Sequence, residues 1–228
     1  MSAAAFCGVL PLLLPARNCG GRPLFTGFCI ATPTPALSNP SEIPAILLRL
    51  RHETHPYHDA LEQHAFNRAL AAGTPTAAGT AQFLTKMYGF LQPYETVLRA
   101  HTADFSPAWT LTERFRAHLI LEDLPAIAGA PILPLCPAMP PLRTRAQLLG
   151  TMYVMEGSTL GGQVIARQLA KAGIPMRQYF MGYGGRTGAL WKTFCQQLAE
   201  AAPAAGPDEV VAAAGRAFHY LDAWLNQP

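Results

Sequence analysis

The sequence predicts an all-α, single-domain, multi-helical fold. Three observations carry that reading. Apolar residues recur at helical spacing through most of the chain after residue 40. No run alternates apolar and polar residues between hairpin turns, and there is no internal repeat. Helix boundaries are signposted, with Ser41-Glu42-Ile43-Pro44 as a start and Gly173-Ile174-Pro175 as a stop. The 228 residues are half apolar and 14% charged, enough for a sizeable core and too little charge for a solvated disordered chain.

Residues 1–40 differ from the rest. They contain Arg17 and Arg22 but no acidic residue, are rich in Gly, Pro, Ala and Thr, and show no sustained period. We expect a flexible or non-native N-terminal extension there, with a targeting leader as the alternative, and a helical domain over 41–228. Ser41 should cap the first helix, with Pro44 in its first turn. Ile46, Leu47, Leu50, Tyr57, Leu61 and Ala65 fall near one face. Pro56 within that run predicts a kink or a restart near Thr54. Gly73-Thr74-Pro75-Thr76 reads as a turn. A second helix over 80–101 carries Phe83, Met87, Phe90, Leu91, Tyr94 and Leu98, bent at Pro93.

A short third helix is expected over 112–122. Six prolines between 125 and 141 make that stretch a connector. The longest helix should run over 144–172. Residues 179–187 read as a glycine-rich loop, 188–202 as a helix built on Leu190, Trp191, Phe194 and Leu198, and a final helix opens at Pro207-Asp208-Glu209.

Charge and cysteine usage narrow the function. The net charge is +3, from 17 basic and 14 acidic residues, without the clustering of a nucleic-acid binder. No apolar run approaches the ~18 residues that span a bilayer. Five cysteines at irregular spacing, with no CxxC, suit a reducing compartment, so a cytoplasmic location is expected.

Two motifs carry chemistry. The first is the set His52, His55, His58 and His64, whose first three lie roughly on one helical side. A helix-borne metal site usually takes further ligands from a second helix, and no Glu-x-x-His is present. The second is Glu156-Gly157-Ser158-Thr159-Leu160-Gly161-Gly162-Gln163, inside the longest helix. Each interior glycine costs about 0.5–1 kcal/mol relative to alanine. Something must offset that cost: either another helix packs very close, or a flat ligand lies on the backbone. A phosphate loop is excluded, because no strand precedes the motif and no GK[ST] follows.

Thr54-x-x-x-His58-x-x-Leu61-Glu62 resembles the proximal helix of heme oxygenases. Gly157-Ser158-x-x-Gly161-Gly162-Gln163, about 100 residues later, resembles their glycine-rich distal helix. Gly182-Tyr183-Gly184 and Thr187-Gly188-Ala189-Leu190-Trp191-x-x-Phe194 look like the bacterial, biliverdin-producing branch that often serves bacteriophytochromes. The resemblance spans roughly residues 43–225. It implies heme as cofactor and substrate, His58 as the iron ligand, and Gly157, Ser158, Gly161 and Gly162 as the opposite wall. Ser158 stands where better-known members carry an aspartate. The resemblance also implies that Arg51 meets the heme propionates, with Tyr153 and Lys192 as further candidates.

The implied reaction converts heme, oxygen and electrons to biliverdin, ferrous iron and carbon monoxide. No flavin or nicotinamide motif is visible, so a separate ferredoxin or reductase must supply the electrons. The alternatives are a protein that binds or senses heme without breaking it, and a di-iron oxidase on the same fold.

Overall fold

The computed structural model describes residues 43–124 and 133–227. Ser41, the 1–40 extension and the prolines at 125 and 131 lie outside the described residues. Among those described, the chain is helical with no strand.

Helix α1 spans Ala45–Glu62, with Pro44 at its N-cap rather than in its first turn. It runs through Pro56 without the restart expected near Thr54. Proline removes one N–H from the ladder, and the Thr54 hydroxyl adds a bond to the Leu50 carbonyl at 2.6 Å, just before it. The true break comes at Gln63 and His64. The His64 ring accepts the Phe66 N–H at 3.3 Å and caps α2, Ala65–Ala71. Thr76 caps α3, Ala77–Ala100, by accepting the Gly79 N–H at 3.0 Å.

The expected third helix divides. Residues Leu111–Arg114 form a 3-10 turn, Phe115 is extended, and α4 covers Ala117–Asp123. Glu95 of α3 accepts the N–H groups of Arg116 and Ala117 at 2.6 and 3.0 Å, which satisfies the start of α4 from outside. Helix α5, Arg145–Lys171, is unbroken through its glycines and opens with a reciprocal capping box between Thr144 and Gln147. Where a loop was expected, a one-turn helix α6, Gln178–Met181, appears. Both carboxylate oxygens of Asp123 accept its first N–H groups, those of Gln178 and Tyr179, at 2.8 Å each. Helices α7, Thr187–Ala205, and α8, Pro207–Leu225, complete the chain.

Helix α5 is the central element. α8 lies along it, α7 and α6 pack against other parts of it, and α1 packs on α8 and α7. The buried face of α8 mixes small residues (Ala213, Ala214, Ala217) with Val210, Phe218, Leu221 and Trp224. The small residues let α5 approach closely. A Cβ on Gly150 would stand 2.3 Å from the Val210 carbonyl oxygen and 2.7 Å from the Ala214 nitrogen, so only glycine fits there.

Candidate functional site

Helix α8 provides a common ruler for α1 and α5. On one side Arg49 pairs with Asp208 at 2.8 Å, Tyr57 lies over Gly215, and the His58 ring meets Phe218 edge-on at 6.2 Å. On the other side Gln147 reaches Glu209 at 3.3 Å, and Gly150 meets Val210, Ala213 and Ala214. Both helices therefore run parallel to α8. His58 and the glycine stretch of α5 lie toward the same, C-terminal, end of it.

His58 is about a quarter exposed. Its Nδ1 lies 3.6 Å from a Glu62 oxygen, one turn on. At that separation the carboxylate lies beside the ring without a direct hydrogen bond to it. His52 and His55 are exposed, and His55 pairs with Asp59 at 2.9 Å on the solvent side. His64 is committed to capping α2. Among the described residues no three His, Cys, Asp or Glu side chains converge on a metal site. The di-iron alternative thus has no ligand set among them.

The glycines of α5 separate into two kinds. Gly150, Gly157 and Gly161 are spaced by seven and four residues and share a face, while Gly162 lies about 100° round the helix. A Cβ on Gly162 would stand 2.2 Å from the Phe180 carbonyl oxygen, so α6 requires that glycine. Gly157 is different. A Cβ there would meet only the Trp191 indole, at 3.7 and 3.8 Å, which is ordinary contact. Packing therefore explains Gly162 and leaves Gly157 unexplained. Gly161 is buried and Ser158 half-buried.

Buried charges support this stretch from beneath. Arg114 is 5% exposed; it donates to the Glu156 carboxylate and, at 2.8 Å, to the Trp109 carbonyl. The Tyr183 hydroxyl donates to the other Glu156 oxygen at 2.7 Å. Arg116, 3% exposed, donates to the Met155 carbonyl at 2.6 Å and lies over the rings of Tyr179 and Tyr183. Burial by itself would weaken the hold of Arg116 on its proton. Tyr179, Tyr183, Glu156 and Glu95 outweigh burial, so the guanidinium stays charged. Burial pushes the Tyr183 phenol well up, and neighbouring Glu156 adds to this against Arg116, so Tyr183 remains a neutral donor.

Sequence reasoning did not single out Arg114, Arg116 or Tyr179 as functional. A usable signal existed. Glu156 falls in the buried face of an otherwise apolar helix, and a buried carboxylate demands a cation.

Of the residues expected at the propionates, two lie within electrostatic reach of each other. Burial pushes the Tyr153 phenol up to about 12, nearby Cys195 adds to this, and the Arg51 charge opposes it. The exposed Arg51 of α1 thus lies within electrostatic reach of Tyr153 of α5. The Tyr153 ring also packs against Trp191 at 5.7 Å. Lys192 follows Trp191 in α7 and is exposed.

An imidazole on one helix and an uncrowded glycine on another suit a flat ligand with a metal at its centre. Comparison with known proteins specifies the class: residues 45–227 match the heme oxygenase family, and the chain belongs to it. A heme oxygenase of Xanthomonas campestris pv. campestris (strain 8004) is 32% identical over 130 residues, covering 56% of this chain and 76% of that protein. No solved structure matches. The protein is a heme-degrading enzyme for which heme is substrate and prosthetic group. Among the described residues no helix is long and apolar enough to cross a membrane.

Proposed function

We propose that the enzyme cleaves heme to biliverdin, ferrous iron and carbon monoxide, with His58 as the iron ligand and the Gly157 and Gly161 face of α5 against the opposite side of the ring. The observation that carries this reading is Gly157. It stands inside a helix at a cost of about 0.5–1 kcal/mol, yet nothing packed against it needs a glycine. A flat ligand lying on the backbone would.

Bound heme supplies the oxygen-activating iron and the meso carbon that is attacked. The chain supplies the rest. The His58 imidazole would hold the iron, with the Glu62 carboxylate 3.6 Å from its Nδ1. Gly157 keeps side-chain bulk off the ring. The Ser158 hydroxyl, which donates to the Met155 carbonyl at 2.7 Å, brings polarity to the edge of the glycine face in place of a carboxylate. Arg51 and the protonated Tyr153 offer a cation and a hydroxyl for the propionates, with Lys192 as a further cation.

Electrons come from a separate ferredoxin or reductase on this reading, and exposed Arg51 and Lys192 would favour an acidic donor. Cys136 and Cys195 are free thiols, in keeping with the cytoplasm. The Gly182–Trp191 stretch supports the branch whose biliverdin serves bacteriophytochromes.

Optical titration with hemin, followed by reductant in air, tests the reading. One-to-one saturation and then a broad red biliverdin absorption are expected. His58→Ala should weaken saturation and abolish the red product. Unchanged binding and turnover in that variant would remove His58 from the site. Saturable binding with no breakdown under a competent electron donor would favour a heme carrier or sensor.

A further inference from the structure

Four residues flanking Gly157, two on each side, carry side-chain hydrogen bonds. The Met155 carbonyl accepts two side-chain donors at once, Arg116 Nη2 at 2.6 Å and Ser158 Oγ at 2.7 Å. The Glu156 carboxylate is held by Arg114 and by Tyr183. The Thr159 hydroxyl donates to the Glu156 carbonyl at 2.6 Å. Arg116 is the unusual member. It is 3% exposed, lies over the rings of Tyr179 and Tyr183, and has an Nε with no hydrogen-bond partner. A buried guanidinium that forgoes one of its five donors is expensive to keep for packing alone.

We propose that Arg116 is a positioning residue for the distal face: by binding the Met155 carbonyl it fixes the acceptor that orients the Ser158 hydroxyl beside Gly157. The inference rests on the reading of Ser158 and Gly157 as the wall opposite His58. Arg116 itself touches no substrate. The Met155 carbonyl is shared by Arg116 and Ser158, and the Tyr179 hydroxyl lies within hydrogen-bonding reach of both side chains, so Arg116 bears on the Ser158 hydroxyl through both. Arg116 is also a fixed positive charge in a water-poor interior, bound to the carbonyl two residues before Gly157. Preorganised charge of that kind exerts a larger effect than the same charge in water. Arg114 and Tyr183 do a separate job on the neighbouring residue, since they bind Glu156 and not the carbonyl that Ser158 uses.

The test is a double-mutant cycle on the heme-loaded enzyme, with Arg116→Met, Ser158→Ala and the pair together. Turnover and the C–O stretching frequency of the ferrous heme–carbon monoxide complex are both read. Loss of one hydrogen bond corresponds to about a fivefold fall in turnover. Each single variant should lose about that much at nearly unchanged hemin affinity. The pair should lose no more than Ser158→Ala alone, because Arg116 works through Ser158. Both singles should shift the C–O stretch in the same direction. Arg116→Lys keeps the charge but not the planar fork, and should recover only part of the loss. It also serves as the folded variant if Arg116→Met does not fold.

Strictly multiplicative losses, or a C–O stretch moved by Ser158→Ala but by neither Arg116 variant, would overturn the proposal. Gly157→Leu separates the two levels. If it leaves turnover untouched, the distal-wall reading itself fails. If it abolishes turnover while the cycle is multiplicative, only the role of Arg116 fails.

Discussion

Gly157 and Gly162 lie five residues apart on one helix and answer to different demands. Gly162 faces the backbone of α6 so closely that a methyl group would overlap the Phe180 carbonyl. Gly157 faces an indole at ordinary van der Waals distance. Both sit in the glycine-rich motif, and composition alone gives them the same helix cost. The difference teaches that one glycine-rich motif can serve two purposes. One glycine belongs to the fold, and the other belongs to whatever lies against the helix when the enzyme works.

The side of α5 that belongs to the fold should show the larger stability effects. Glu156→Ala leaves the buried Arg114 charge without its carboxylate and Tyr183 with only its longer bond to the Arg114 carbonyl, at 3.3 Å. Breaking a buried pair in this way costs about 3–5 kcal/mol. Denaturant unfolding of the heme-free protein should show that loss, and an effect below about 1 kcal/mol would mean that the pair is solvated. Gly162→Ala comes next. Overpacking of this kind costs about 1–3 kcal/mol, with heme or without. If its heme-free stability equalled that of the parent, α6 would not be seated on α5 as described.

A smaller effect involves pH. Burial pulls the His64 imidazole below its usual value of 6.5, and its Nδ1 must stay unprotonated to accept the Phe66 N–H. The unfolded chain therefore binds this proton more readily than the folded one. The stabilisation is present above 6.5 and is lost as pH falls through and below that value. His64→Asn keeps a capping oxygen and cannot be protonated in this range. Its stability should fall less steeply on acidification, by an amount on the order of the ~1 kcal/mol of one cap. Parallel curves for the two proteins would contradict the assignment.

Much of the fold was legible in the sequence. α5, α7 and α8 are long and amphipathic, with caps or prolines at their ends, and their bounds follow from that pattern within a few residues. The region from 111 to 123 was less legible. Its conformation is set by partners distant in sequence, with Glu95 receiving two backbone N–H groups and Arg114 reaching Glu156, and no local period records such contacts. For the same reason no helix signal marks α6 in the sequence. Four residues cannot show a helical period, and Asp123, more than fifty residues away, caps the turn. The proximity of Arg51 to Tyr153 was not predictable either, because it depends on how α1 and α5 flank α8.

The site was legible in part. His58 and the glycines were singled out by residue type and order, and the structure gives Gly162 a packing reason that the sequence could not distinguish from ligand contact. The charged layer under α5 was missed because arginines near the start of a short helix look like surface residues until their burial is known.

The central claim is that Gly157 is kept for the heme and not for the fold. Gly157→Ala tests it most directly, with heme-free unfolding and heme turnover measured on the same preparation. Alanine should leave the heme-free protein as stable as the parent or raise its stability by about 0.5–1 kcal/mol. A methyl displacing the ring by even a fraction of an ångström should lower turnover by about tenfold or more. A heme-free protein destabilised by the methyl, or one with full turnover, would contradict the account.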